Sequence, residues 1–362
     1  MKKYKYLTAL FMGSMLALSV GITANANVKT YNQKGIALIG GTAKTFVNNK
    51  SYARIPNYSY GAGNDYYASH TYQTKPEFYQ ANGGNFRRNA KTKYFLPVTH
   101  KVSGDMSNPQ SVAQTPDGHY AYVMYSAVSG GPSNIVRFDL HKLNSLGVST
   151  NHMDELRRGL NSNPQIQSAV KFGPKFNTGH AQSLAYNYKT GQLWFVRMAV
   201  ATHKPTLVQV SRATLTPTKQ IHFKFSSHYQ INNELAFDKH GNVYTYVKYL
   251  GNKHSAGSIA IFKGTIKGNK VKFKAIKQGI KNGPGQHTQG MSYNPKSNRL
   301  YFISDGEITS VPVNKLGHLK NHDVRTTRFN TNREFEGLSF TKNGKGLILI
   351  NRGAELLEIN NF

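Results

Sequence analysis

Five short segments of the chain open with an amide or carboxylate side chain, which is followed by small, apolar and small residues. The opening residues are Gln110, Gln182, Asn233, Gln289 and Glu336. In the third segment Glu234 replaces the first small residue and adds a carboxylate. Two positions upstream, three segments carry a further ionisable residue: His180, His287 and Glu334. Amide, imidazole and carboxylate groups together would recognise a polyhydroxylated or amide-bearing ligand, so we predict that these nine residues bind a ligand.

The same residues give little support for a catalytic site. A glycoside hydrolase needs two apposed carboxylates, but Glu334 and Glu336 belong to one segment and the other segments add only Glu234. The chain has no cysteine, no G-x-S-x-G, no H-E-x-x-H and no phosphate loop. We therefore predict no catalytic residue, no metal and no cofactor. A structural role stays open, because such residues also cap strands and join repeated units through buried hydrogen bonds.

The five segments recur at intervals of 72, 51, 56 and 47 residues. Each is followed by a turn rich in Gly, Asn, Asp or Pro, such as Pro116-Asp117-Gly118, and then by segments rich in β-branched and aromatic residues. A period near 50 residues is typical of repeated units that cannot bury their apolar faces alone. Four antiparallel strands per unit predict an all-β fold, a five-bladed β-propeller over residues 93–362.

The last unit lacks a fourth strand, because the chain ends at Phe362. We expect Lys93–Val102, just before the first unit, to supply that outer strand and close the ring, which would leave no exposed edge. The sequence predicts one helix, Met153–Leu160, in the long insertion of the first unit.

The N-terminal region divides into two parts. Residues 1–26 have a basic start, an apolar stretch and the cleavage site Ala24-Asn25-Ala26, which is the pattern of a secretory signal peptide. Residues 27–92 form an arm rich in Tyr, Asn and Gly. The composition of this arm favours an exposed linker, and a small β extension stays open. We expect a secreted protein that is associated with the cell wall.

The charge of the chain is strongly positive, with 46 Lys and Arg against 16 Asp and Glu. Removing the predicted signal peptide leaves a net charge of +27. The basic residues are spread over every unit, so they indicate a basic surface and not a basic tail. The expected partners are anionic cell-wall polymers, namely teichoic acid and acidic glycans, with an anionic membrane surface as a further candidate and no specific nucleic acid.

The five segments, with the openings His180-Ala181-Gln182 and His287-Thr288-Gln289 and the continuation Phe237-Asp238-Lys239-His240-Gly241, resemble the helveticin J family over about residues 110–359. The family comprises large secreted bacteriocin-like proteins of lactobacilli, so the resemblance implies an antibacterial role. It supplies no catalytic residue. Two other functions stay open: a wall-associated adhesive or glycan-binding protein that does not kill, and a propeller glycan hydrolase or lyase.

Overall fold

The protein is mostly β in the computed structural model, with a few short helices. The structure describes residues 28–49, 75–97, 106, 108–126, 132–160, 162–197, 205–225, 234–249, 257–285, 287–331, 333–351 and 353–362. The predicted signal peptide 1–26 and Asn233 lie outside the described residues. Within the described ranges, no helix has the length and apolar character that a membrane span requires.

Five strands lie in the N-terminal region. They are β1 (Lys29–Ile36), β2 (Leu38–Ile39), β3 (Thr45–Val47), β4 (Phe78–Gly84) and β5 (Asn89–Phe95).

The repeated units follow as five groups of strands. The first group is β6 (Pro109–Gln114), β7 (Tyr120–Tyr125), β8 (Ile135–Asp139) and β9 (Val170–Phe172). The second is β10 (Ala185–Asn187), β11 (Gln192–Arg197), β12 (Thr206–Val210) and β13 (Pro217–Lys224). The third is β14 (Ala236–Phe237), β15 (Val243–Lys248), β16 (Ile259–Lys267) and β17 (Lys270–Ala275), followed by β18 (Gln278–Ile280). The fourth is β19 (Gly290–Asn294), β20 (Arg299–Ser304), β21 (Glu307–Pro312) and β22 (Arg325–Phe329). The fifth is β23 (Phe335–Phe340), β24 (Gly346–Ile350) and β25 (Glu355–Ile359).

The helices are short. The described α-helices are α1 (Leu140–Ser145), α2 (Glu155–Gly159) and α3 (Pro164–Gln167), and two 3₁₀ turns span Val313–Lys315 and Asn321–Asp323. The predicted helix therefore exists in narrower bounds as α2, and the same insertion also holds α1 and α3. Asp139 caps α1 and Asn163 caps α3 by accepting backbone N–H groups, which explains why these two helices begin where they do.

The turn after each first strand is closed by a side chain. Asn187, Asp238 and Asn294 each accept two backbone N–H groups of the following residues through Oδ1. Gly118 and Gly344 take positive φ values of 77° and 81° in two of these turns, a conformation that glycine adopts without strain. The turn residues thus fix a hairpin at the start of every group.

Within each group the strands pair antiparallel in chain order. Strand β5 adds to β25 as the fourth strand of the fifth group. Strand β4 pairs antiparallel with both β22 and β5, and so joins the fourth and fifth groups into one nine-stranded sheet.

The described part of the N-terminal arm forms strands and is not the exposed linker that its composition favoured. Strands β1, β2 and β3 pair in parallel with β13, β17 and β18, which agrees with the alternative of a small β extension. The arm thus covers sheet edges of the second and third groups. Composition missed this because an outer strand buries little surface: Lys29–Ile36 has no fully buried residue.

The outer strand of the fifth group begins earlier than predicted. Its bounds are Asn89–Phe95 in place of Lys93–Val102, and residues 98–102 lie outside the described residues. The reason is the alternation of Ala90, Thr92 and Tyr94, which are buried, with more exposed residues between them. This period of two starts before Lys93 and sets the strand in register with β25.

The apolar core consists of five clusters, and each lies between two groups. One joins the first and second groups through Tyr122 and Phe195. Equivalent clusters join the second with the third, the third with the fourth and the fourth with the fifth group. The fifth cluster contains Val123 of β7 and Leu349 of β24, so the fifth group also packs on the first. Each group thus buries its faces against two neighbours.

Candidate functional site

The first strands of the five groups lie against one another. In chain order, each first strand contacts the next one: β6 contacts β10, β10 contacts β14, β14 contacts β19, and β19 contacts β23. Strand β23 in turn contacts β6. The small residues of the segments make this approach sterically feasible: a Cβ added to Gly337 would lie 3.2 Å from the backbone nitrogen of Val112, and one added to Gly290 would lie 3.4 Å from the Cα of Gly337. The small residues at these positions therefore allow the first strands to approach closely.

Little space remains between the five strands. The cavity that all five line has a volume of about 20 Å³. This is room for a water molecule or so and far too little for a sugar ring or a peptide. A ligand of these strands would therefore have to sit at the ends of the cavity and not inside it.

At one end, residues of the first and fifth groups form a buried hydrogen-bond cluster. Gln110 donates through Nε2 to Glu336 Oε1 at 2.7 Å and to Asn108 Oδ1 at 3.0 Å. Asn351 donates through Nδ2 to the same two acceptors, at 3.0 Å and 2.6 Å. Gln110 and Glu336 are 3% and 1% exposed, so two of the predicted ligand residues bind each other, while Gln110 Oε1 and Glu336 Oε2 find no partner among the described residues.

A second cluster crosses between groups that are not neighbours. Gln182 of the second group donates through Nε2 to Gln289 Oε1 of the fourth group at 2.8 Å. Gln289 in turn donates to Asp305 Oδ1 at 3.2 Å. Both glutamines are buried. The side chains thus bridge the space between opposite strands, which is the structural role that the sequence left open.

Glu234 belongs to neither cluster. It lies two residues before β14 and is 0% exposed. Among the described residues neither of its carboxyl oxygens has a hydrogen-bond partner. Burial raises its pKa to about 8 because the ionised form loses its hydration. At neutral pH Glu234 is therefore mostly protonated. The preceding residue Asn233, which is also predicted to bind a ligand, lies outside the described residues.

The other predicted residues are more accessible. His180 and His287 are exposed and Glu334 is half-buried. Burial, and next the negative charges of Glu334 and Asp305, raise the pKa of Glu336 well above its ordinary value. Because Glu336 is almost fully buried and holds Gln110 and Asn351, a substrate could reach it only by displacing those amides.

In the parts of the chain that the structure describes, no three His, Asp or Glu side chains come together as metal ligands.

Besides Asn108, which lies two positions before Gln110, two residues of the clusters were not predicted, Asp305 and Asn351. Each directly follows the second strand of its group, β20 or β24. An antiparallel hairpin places this position beside the start of the first strand. A polar residue after each second strand is therefore the sequence signal that would have identified them.

Tyr188 closes the other end of the cavity. Its hydroxyl donates to the carbonyl oxygen of Phe340 at 2.8 Å, and its ring lies 6.0 Å from that of Tyr293. A residue that follows β10 thus reaches across to the fourth and fifth groups.

No protein-family model and no curated protein sequence matches the chain. Solved structures resemble it distantly. Hydrazine synthase of Kuenenia stuttgartiensis is 12% identical, with 67% of this chain and 69% of that chain covered and a TM-score of 0.39. The Dos1 propeller is 11% identical, with 69% and 53% covered and a TM-score of 0.32. A glucose dehydrogenase is 10% identical, with 79% and 96% covered and a TM-score of 0.36.

The class of protein follows from the strand groups themselves. Successive antiparallel groups that pack face to face, with their first strands gathered around a common line, make this a β-propeller-like protein. The resemblance to the helveticin J family has no support from a family model and stays a prediction, as do the ligand-binding roles of the nine residues.

Proposed function

We propose that the chain is a secreted five-bladed β-propeller that binds anionic polymers of the bacterial cell wall. The N-terminal pattern of a signal peptide supports export. The contacts and the shared apolar cluster of the fifth and first groups support a closed ring of five blades. Binding is electrostatic and uses the outer surface, because the space between the first strands is too small for a polymer.

The observation that carries this proposal is the distribution of charge. Half of the 14 acidic residues that the structure describes are buried: Glu234, Asp238, Asp305, Glu307, Asp323, Glu336 and Glu355. No described lysine is buried, but four arginines are: Arg88, Arg157, Arg299 and Arg333. Burial therefore removes more acidic than basic side chains from the surface. The surface is therefore more positive than the formal net charge of +30 suggests. The electrostatic field of such a positively charged surface attracts polyanions and accelerates their association with the protein.

The direct test is sedimentation of the mature protein, residues 27–362, with isolated bacterial cell walls. We expect the protein to sediment with walls in about 0.1 M salt and to be released in about 1 M salt, where the screening length falls from about 10 Å to about 3 Å. Retention in molar salt would contradict an electrostatic mode of binding.

An antibacterial role of the helveticin type is the finer proposal, and the resemblance in the five segments supports it. A growth-inhibition assay on closely related strains separates it from a wall-associated adhesive protein. Inhibition by the mature protein supports killing, and wall binding without inhibition supports adhesion. Hydrolysis of wall glycans that is lost in Glu334→Gln or Glu336→Gln would support the hydrolase alternative.

A further inference from the structure

The hairpin formed by β16 and β17 carries five exposed lysines on one face. Residues at alternate positions of a strand point to the same side. On β16 these are Lys263 and Lys267, and on β17 they are Lys270, Lys272 and Lys274, all exposed. Val271 and Phe273 alternate with them and are buried in the apolar cluster between the second and third groups. The hairpin therefore has one apolar face and one lysine face.

The register places these lysines directly opposite one another. Lys263 pairs with Lys274 and Lys267 pairs with Lys270 across the two strands. Like charges at directly opposite positions destabilise an antiparallel pair. Among the described residues none of the five lysines takes part in an ion pair. The register thus places two pairs of lysines directly opposite one another, and the contact described for one of the four is that of Lys263 Nζ with the ring of Tyr244, 5.9 Å from its centroid.

The stretch of sequence that contains the hairpin is poor in acidic residues. Residues 205–285 contain only Glu234 and Asp238 as acids, and both are buried in the structure. The positive surface also continues onto the neighbouring sheet. Lys219 of β13 donates through Nζ to the carbonyl oxygen of Gly268 at the tip of the hairpin, at 3.2 Å, and Lys219 is itself paired with Lys29 of β1.

Charge complementarity requires an anionic occupant, and the geometry requires an extended one. Lysines two residues apart along a strand are about 6.8 Å apart, and the two strands are about 4.8 Å apart. The lysine face is thus a narrow strip with regularly spaced ammonium groups. Lysine binds phosphate as a point charge, without the planar two-point recognition of arginine.

The strip lacks the features that bind bases. Its sixth alternate position is Thr265, so among the described residues of the hairpin this face has no aromatic side chain. Tyr244 of the adjacent strand β15 lies 5.9 Å from Lys263 Nζ, but its ring is fully buried and cannot stack on a base. Proteins that bind single-stranded nucleic acid usually stack bases on aromatic side chains. The observations therefore favour a linear phosphodiester polymer without bases, such as a chain of polyol phosphates.

We propose that the lysine face of the β16–β17 hairpin is the docking surface for a linear polyol-phosphate polymer. This inference rests on the proposed function, because it names the surface through which the wall polymer is bound. Binding relieves the repulsion between the paired lysines by placing phosphate groups between them.

The test compares two variants of residues 27–362 that lose five positive charges each. The hairpin variant replaces Lys263, Lys267, Lys270, Lys272 and Lys274 by Gln. The control variant replaces five exposed lysines elsewhere: Lys171, Lys189, Lys239, Lys296 and Lys342. Binding to synthetic poly(glycerol phosphate) is measured by calorimetry over a series of salt concentrations.

We expect the hairpin variant to bind roughly a hundredfold more weakly in about 0.1 M salt, and its plot of log affinity against log salt to lose about 3 units of slope. The control variant should lose less than about tenfold. The hairpin variant should also have an equal or higher melting temperature, because it removes like-charge pairs. A second variant, Lys267→Glu with Lys274→Glu, turns both repulsive pairs into attractive ones and should bind as weakly while being more stable.

Three outcomes would overturn the inference. Equal losses in the hairpin and control variants would mean that the whole surface binds the polymer, and the proposed function would stand. Unchanged binding of the hairpin variant would place the polymer elsewhere. Equally tight binding of oligo-dT or anionic lipid vesicles through the same five lysines would remove the preference for polyol phosphate. Absence of any binding by the unmodified protein in about 0.1 M salt would instead refute the proposed function.

Discussion

Replacing Glu234 by Gln should change how the free energy of unfolding depends on pH. Glu234 is fully buried, and neither carboxyl oxygen has a hydrogen-bond partner in the part of the chain that the structure describes. In the folded protein burial raises its pKa to about 8, from an ordinary value of 4.5. In the unfolded chain the carboxyl group is hydrated and recovers the ordinary value.

The sign and size of the effect follow from these two pKa values. Below pH 4.5 Glu234 is protonated in both states and contributes nothing to the pH dependence. As the pH rises from 4.5 to about 8, the unfolded state releases the proton and the folded state keeps it, so the protein loses stability. Each unit is worth about 1.4 kcal/mol, so the loss is about 3 kcal/mol at pH 7 and about 5 kcal/mol above pH 8.

Gln has the shape of protonated Glu and cannot ionise. We therefore expect Glu234→Gln to match the unmodified protein near pH 4.5 and to be more stable at pH 8 by about 5 kcal/mol. The measurement is urea unfolding of residues 27–362 at several pH values between 4.5 and 8.5 for both proteins. The difference between them isolates Glu234 from other buried groups, such as Glu336.

Glu358→Gln is the matched control, because Glu358 is partly exposed and pairs with Lys93 at 3.2 Å. Its effect should be small, because an exposed ion pair contributes little to stability. A difference between Glu234→Gln and the unmodified protein that does not change with pH, or one that is larger at pH 5 than at pH 8, would refute the buried, unpartnered state of Glu234.

Three further substitutions test the packing of the groups. Arg333→Met should lower the free energy of unfolding in urea by about 3–5 kcal/mol. The reason is that the buried carboxylate of Glu355, which lies 3.2 Å from the guanidinium, loses this ion-pair partner. A loss of stability below about 1 kcal/mol would contradict this. Tyr188→Phe should cost about 1 kcal/mol by removing the hydrogen bond to Phe340, and an unchanged urea midpoint would show that the hydroxyl is hydrated. Gly337→Val should cost about 1–3 kcal/mol, because its Cβ would press on the backbone of β6 at 3.2 Å; a melting temperature equal to that of the unmodified protein would mean that the first strands lie further apart.

The repeats could be read from the sequence because local chemistry determines them. Asn187 and Asp238 close their turns through hydrogen bonds to residues at most four positions away. The small residues at 290 and 337 mark the close approach of the first strands. The apolar segments after them can then be buried when each group packs both faces against its neighbours.

The N-terminal strands and the bridging amides could not be read in the same way. Strand β1 pairs with β13 through backbone groups and buries little apolar surface, so its composition resembles that of a linker. The hydrogen bond from Gln182 to Gln289 depends on the width of the space between groups that are not adjacent in the chain. Sequence places both glutamines at the starts of strands, but it does not tell whether they face a ligand or each other.

The most direct test of the proposed function is wall binding with and without the phosphate polymers. Mature protein is sedimented in about 0.1 M salt with intact walls and with walls from which phosphodiester polymers have been stripped by acid. The surface is positive because seven acidic residues are buried while no described lysine is buried. We therefore predict binding to intact walls and loss of most of that binding on stripped walls. Equal binding to both preparations would show that the protein recognises peptidoglycan or another neutral component, and would contradict the proposal.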